Sequence, residues 1–336
     1  MFYLKKTFYY ISLLFGIILF SFILFHAIPT DPVRTILGPN ADEKQVETLR
    51  NELGLNKPLS VQLINYISKT IRLDFGKSYT DNRSVLNEVS GKFKVSLILV
   101  TISLFFLFLY ILIFILCSLK LSWPFDILNF LFVSTPTFFS GIIIAILAFS
   151  FYPYTVFSGY LNTVDDFLYM IPPAIVLAIY PMAILAKILK QEIQKINNSD
   201  FITHARAQGL SEIKIRFRYV LRNVSIPFLA AFSNQLPMLF TSAFIVEVLF
   251  SLPGMGSLLI KSILQKDCPT LEGVVILNGM LFIVTNLIFE FIYPIIDPRI
   301  HKTNAYESTF DKRSFISICF INSKQHSSIF TVLRSI

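Results

Sequence analysis

The sequence predicts an all-α polytopic membrane protein with six transmembrane helices, cytoplasmic N and C termini, and a partly helical outer loop after the first helix. Three observations carry this reading. Hydrophobic residues fill 54% of the 336 positions and charged residues only 15%, against about 25% charged in a soluble domain. Phenylalanine occurs 35 times and the mean hydropathy is +0.65, which suits a chain whose solvent is largely lipid. Apolar stretches also recur at the length of about 20 residues that crosses about 30 Å of hydrocarbon.

Those stretches are roughly Phe8–Ile28, Val95–Leu119, Ile127–Phe151, Phe167–Ala186, Ile226–Val248 and Val274–Tyr293. The first follows Lys5 and Lys6 like a signal peptide, but it is long for one and no small-x-small cleavage site follows, so it reads as a retained helix. Orientation follows from the positive-inside rule. Lys120 lies between the second and third stretches. Lys187–Asn223 carries Lys187, Lys190, Lys195, Arg206, Lys214, Arg216, Arg218 and Arg222. The link between the third and fourth has Asp165 and Asp166 with no base. Both termini therefore fall in the cytoplasm, and the loop Pro29–Lys94 falls outside. The net charge of +8 is explained by this placement, and nucleic acid is not expected as a partner. Cys117, Cys268 and Cys319 have no metal-type spacing and are expected to be unpaired.

The outer loop has helical spacing over Asp42–Leu53 and Leu59–Leu73, punctuated by Gly54 and Pro58. The inner loop 187–223 reads as two short helices. Asp200 can cap the first, which ends at Gly209. Ser211 can cap the second, with Ile213, Phe217, Val220 and Leu221 on its apolar side. Its stripe of Lys214, Arg218 and Arg222 suits anionic lipid or a cytoplasmic partner. Pro136, Pro172, Pro173, Pro181, Pro227 and Pro237 crowd the membrane segments. Such breaks free backbone groups, as in a bundle that lines a pathway, though simple kinks look the same.

Several chemistries lack their residues. No G-x-x-x-x-G-K-[ST], H-E-x-x-H or G-x-S-x-G is present, and His26, His204, His301 and His326 are scattered. Neither a P-loop ATPase nor a zinc or serine hydrolase is expected, and no metal or catalytic residue is assigned. Glu247 and Glu290 are the only acids of the apolar stretches that could serve a proton relay, and both sit near their ends. A transporter without relay or nucleotide site draws its energy from another subunit. A self-sufficient secondary carrier or channel, or a membrane enzyme, remains as an alternative.

The run Asp200-Phe201-Ile202-Thr203-His204-Ala205-Arg206-Ala207-Gln208-Gly209-Leu210-Ser211 resembles the cytoplasmic loop of binding-protein-dependent ABC transporter permeases. It is most similar to the oligopeptide/dipeptide/nickel subgroup, whose loop reads like D-Y-[VI]-R-T-A-R-A-K-G-L-S. Leu221-Arg222-Asn223 with Pro227, Asp31-Pro32-Val33-Arg34 with Leu37-Gly38-Pro39, Leu49–Leu55 and Asp74–Ser78 fit the same pattern. So do Val246–Gly256 and Asp297-Pro298-Arg299-Ile300. The long outer loop matches the B-type permease subunit.

The resemblance implies an ATP-driven importer of oligo- or dipeptides in the cell inner membrane, with nickel or another small solute as the alternative cargo. It implies a second permease subunit, two ABC ATPase subunits that bind ATP and Mg, and an external substrate-binding protein. No cofactor is expected on this chain. Asp200, Phe201, His204, Ala205, Arg206 and Gly209 would couple to the ATPase, and Asn234, Gln235, Pro237 and Glu247 are candidates for the pathway or its gate. Thr203 and His204 stand where the subgroup has Arg and Thr, and Cys268 replaces an aromatic. The expected divisions are 1–94 (first helix and external loop), 95–300 (core permease domain) and 301–336, a Ser-rich tail expected to be disordered.

Overall fold

The computed structural model describes residues 2–27, 32–38, 41–117, 122–151 and 168–296. The expectations for Asp31, Lys120, Asp165, Asp166, Asp297–Ile300 and the tail lie outside them. The described residues are almost wholly helical, with one isolated bridge, Lys77 to Ser84, and no strand. The chain divides into two compact units, Met1–Asn286 and Leu287–Ile336; the helix packing and the candidate sites belong to the first.

The helices are α1 (Phe2–Ala27), α2 (Pro32–Leu37), α3 (Glu43–Glu52), α4 (Leu59–Ile71), α5 (Val85–Cys117), α6 (Ser122–Ser134) and α7 (Thr137–Phe151). They continue as α8 (Ile171–Asn197), α9 (Asp200–Ala207), α10 (Glu212–Ile215), a π-helical turn over Arg216–Val220, α11 (Leu221–Leu249), α12 (Met255–Gln265) and α13 (Cys268–Ile296). Four of these, α5, α8, α11 and α13, contain spans long and apolar enough to cross a bilayer. A fifth is possible if α6 and α7 count as one, and the apolar part of α1, Phe8–Ile23, is shorter.

The third expected span, Ile127–Phe151, is not one straight helix. It is two helices bent by 108° between Ser134 and Thr137. Pro136 has no N–H to continue α6, and its ring disfavours helical geometry at Thr135. The fourth expected span begins later, at Ile171, and continues as one helix to Asn197, so the first part of the expected inner loop 187–223 belongs to this helix. The second inner helix is not separate either: α10 passes through the π turn directly into α11. In the outer loop the expected helices stand as α3 and α4, and Gly54 closes α3 at φ +72°.

α8 is the hub and packs against α5, α6, α7 and α11. Its apolar window is 61% buried, against 22–39% for the other three spans. Ala174, Ala178, Ala183 and Ala186 are fully buried on it. Small side chains let neighbouring backbones approach, which drives helix association where lipid offers no hydrophobic contrast. At one edge Lys190 Nζ reaches both oxygens of Asp126, at 2.6 and 2.5 Å, and pins α6 to α8. At the opposite end Phe75, Val85, Val89, Met255, Leu258, Val274 and Ile276 form a second core that joins the outer loop to α5, α12 and α13.

Candidate functional site

The coupling candidates lie on a short, firmly seated helix. Ser199, with φ −83° and ψ 149°, is the N-cap of α9, without a side-chain capping bond. This corrects the expectation for Asp200, which is the first helical residue; there its charge faces the positive end of the helix dipole. Ile202 is 0% and Ala205 6% exposed. At i and i+3 they form one inward stripe. Ala205 therefore anchors the helix and does not belong to its outer face. Asp200, Phe201, Thr203, His204 and Arg206 are all exposed. Phe201, 45% exposed, is a large apolar ring on an otherwise polar face.

Gly209 ends the segment in the left-handed region at φ +76°. Its N–H donates to Arg206 O at 2.9 Å and Leu210 N–H to Ala205 O at 3.3 Å, the reversed pairing of a helix C-cap that glycine permits. Ser211 Oγ then accepts from Lys214 N–H at 3.4 Å, as a cap for α10. Arg206 bridges the turn: Nε and Nη2 donate to the two oxygens of Glu212 at 2.8 and 3.4 Å. The Glu212 carboxylate raises the Arg206 pKa. The forked geometry fixes the angle between α9 and α10. The sequence did not reveal Glu212 as this partner, although an acid six positions after an arginine across a Gly turn is a readable cue.

The pathway candidates on α11 separate. Asn234 is exposed, Gln235 half-buried, and Pro237 and Glu247 buried. Asn234 heads a stripe with Met238, Thr241, Ile245 and Val248, all exposed, at alternating four- and three-residue steps. This is the one-sided spacing of a helix presenting a face. Pro237 lacks the amide that would bond Ser233 O and so loosens the helix behind that face. The stripe ends at an open groove of about 1150 Å³ between α5 and the segment after α11, rimmed by Arg83, Glu88, Lys92 and Lys261.

Glu247, at 0% exposure, lines no surface. Its Oε2 accepts from Gly256 N–H at 2.6 Å. The Ser96 hydroxyl, beside the same carboxylate, accepts from Met255 N–H at 3.0 Å. Side chains of α11 and α5 thus satisfy the first free amides of α12. The two glycines of Leu252-Pro253-Gly254-Met255-Gly256 are needed for approach. A Cβ on Gly254 would stand 2.3 Å from Glu247 Cδ, and one on Gly256 2.3 Å from Phe244 Cα.

A second knot went unseen in the sequence. Asp267, 3% exposed, accepts from Ser78 Oγ (2.6 Å), Tyr79 N–H (3.0 Å), Thr80 Oγ1 (3.4 Å) and Thr270 Oγ1 (2.7 Å). Lys261 adds an ion pair to Asp81 at 3.1 Å. Tyr66 donates to Ser21 Oγ at 3.1 Å. Burial, and then the Glu272 carboxylate, raise the phenols of Tyr66 and Tyr79 well above the usual tyrosine range. No local pattern marks Asp267, because the outer-loop groups it binds are distant in the chain. Cys268 Sγ beside it donates to Lys266 O at 3.7 Å. Among the described residues no group of three His, Cys, Asp or Glu could hold a metal.

A helical chain with several apolar spans, a small exposed helix on a basic loop and a braced outer cap has the build of a multi-pass membrane permease. The chain belongs to the family described as binding-protein-dependent transport system inner membrane component, which matches residues 118–302; the N-terminal region of such membrane components matches residues 1–100. It is similar to the glutathione transport system permease protein GsiC of Escherichia coli (strain K12), 31% identical over 305 residues, 88% of this chain and 97% of that one. It is also similar to a Brucella suis biovar 1 (strain 1330) permease protein provisionally assigned by name to a peptide transport system. That protein is 30% identical over 308 residues, 89% of this chain and 98% of its own length. The motif-based resemblance to oligopeptide/dipeptide-type ABC permeases therefore holds, as does the inner-membrane location. The family is one of transport permeases, not catalytic enzymes.

Proposed function

We propose that this chain is the B-type permease subunit of an ATP-driven importer that moves small peptides delivered by an external binding protein. Relatives named for peptide and glutathione transport support that cargo. In this reading the chain crosses the inner membrane six times with both termini in the cytoplasm. It pairs with a second permease subunit above two ABC ATPases, which bind ATP and Mg. The first helix and outer loop, 1–94, cap the core 95–300, and 301–336 is a cytoplasmic tail.

The observation that carries the mechanism is the seating of α9. Ile202 and Ala205 fix it to the bundle, while Asp200, Phe201, His204 and Arg206 face away and Gly209 sets its end. A rigid helix with an exposed aromatic ring is suited to enter a groove on an ATPase and transmit its movement. Such a contact drives transport only if its strength differs between the two states of the bundle. The exposed stripe from Asn234 to Val248 lines the pathway, with Gln235 at its edge and Pro237 as its loosened point. Glu247 acts on the gate indirectly, by holding α12.

Purified complex in proteoliposomes tests this. Peptide uptake should require the ATPases, the binding protein and ATP together. Uptake by this chain alone, without ATPases, would establish a secondary carrier instead.

A further inference from the structure

A niche of about 480 Å³ lies where the α6–α7 bend faces α8 and α11. Three prolines lie at or beside it: Pro136, at the α6–α7 bend, lines it, and Pro181 and Pro237, inside α8 and α11, adjoin the lining residues Tyr180 and Met238. Its lining includes the hydroxyls of Ser134, Thr137, Tyr180, Thr241 and Ser242. Thr135 Oγ1 donates back to Leu131 O at 2.6 Å, as hydroxyls in membrane helices commonly do. The other five make no hydrogen bond among the described residues. Among the described residues no charged one lines the niche.

Its depth is fixed by the helices. At 1.5 Å per residue, Tyr180 lies about 13 Å from the Ile171 end of α8 and Thr241 about 12 Å from the Leu249 end of α11. Both distances approach half of a hydrocarbon core about 30 Å thick. Five unengaged hydroxyls at that depth would be costly against lipid tails. The volume is within the roughly 300–1,000 Å³ of small-ligand sites. The 108° bend between α6 and α7 interrupts that wall of the niche, a course that a straight partner helix does not follow.

We propose that this niche is a transient binding site for the main chain of the translocating peptide, which rests on the peptide-import reading above. Each hydroxyl can both donate and accept, so the set pairs with peptide carbonyls and N–H groups in either register. The absence of charge leaves side chains of either sign unread, so the site grips the amides common to all peptides and passes varied sequences.

The test uses the complete transporter in proteoliposomes, comparing wild type with Thr137→Val/Thr241→Val/Ser242→Ala, which removes hydroxyls at nearly constant volume. Import of an uncharged tripeptide should fall about tenfold, the scale of one to two net hydrogen bonds. ATP hydrolysis stimulated by the binding protein should stay within about twofold of wild type, a level at which the coupled steps are intact. A tripeptide bearing a diazirine should label the segments holding Tyr180 or Met238 during turnover. Unchanged import by the variant, labelling confined elsewhere, or disulfide cross-linking of Met238→Cys to the second permease overturns the niche. Wild-type complex that imports no peptide overturns the peptide reading itself, and the niche with it.

Discussion

Replacing Gly256 with alanine should unseat α12 and disable transport, by an amount that follows from distances. The new Cβ would stand 2.3 Å from Phe244 Cα and 2.5 Å from Phe244 O. Carbon contacts prefer about 3.5 Å or more, so α12 must recede by about 1.2 Å. The atoms in the way are backbone and cannot rotate aside. The 2.6 Å bond from Gly256 N–H to Glu247 Oε2 then stretches to about 3.8 Å, beyond hydrogen-bond range. Overpacking costs about 1–3 kcal/mol and loss of a bond to a carboxylate about 1.5–3 kcal/mol, giving about 2.5–6 kcal/mol together. Gly254→Ala meets the Glu247 side chain instead, at 2.3 Å. A second change, Glu247→Ala, should partly rescue Gly254→Ala and leave Gly256→Ala as damaged as before. Gly16→Ala is the control, because nothing lies within 4 Å of its Cβ position. Denaturant unfolding in lipid bicelles, with import measured in parallel, reads the result. A Gly256→Ala protein as stable and active as Gly16→Ala would refute the argument.

Gly209→Leu forces a branched side chain to φ +76°, costing about 1–2 kcal/mol; the chain should still reach the membrane while ATP-driven uptake is lost, as assayed by uptake in membrane vesicles. Asp267→Ala strands the donors of Ser78, Tyr79 and Thr270, for a loss of about 3 kcal/mol or more; hydrogen exchange at the Tyr79 amide should quicken, and unchanged protection would exclude the hub role. Tyr66 and Tyr79 hold their protons more tightly when folded than when unfolded. Their stabilisation is therefore full below the unfolded value near pH 10 and declines as pH rises further. The unfolding midpoint should fall less steeply between pH 10 and 11 in Tyr66→Phe/Tyr79→Phe than in wild type.

What could be read from the chain was local or came from the solvent. Periodicity marked α3 and α4, and glycines at positions requiring positive φ marked the ends of α3 and of the α9 segment. Long apolar runs marked α5 and α11. The bend between α6 and α7 was hidden, because an apolar run looks alike whether straight or folded at 108°; Pro136 was visible but proline more often only kinks. The division of the α9 face was partly hidden too. Ala205 belongs to the loop motif, yet its burial depends on what the helix packs against. Glu247 looked like an interfacial acid because Ser96 and Gly256, which explain it, come from other elements.

The Ser78–Asp267 bond also has a consequence for how the protein is made. Its two ends are 189 residues apart, so when the outer loop leaves the ribosome its anchor has not yet been synthesised. Contacts this distant close late and leave their partners exposed in the meantime. The outer cap is therefore among the last parts to reach its final form, and a chain that stops before Asp267 leaves Ser78, Tyr79 and Thr80 with no carboxylate to bind. The same bond makes the cap a sign that biosynthesis has run past α12 as far as Asp267.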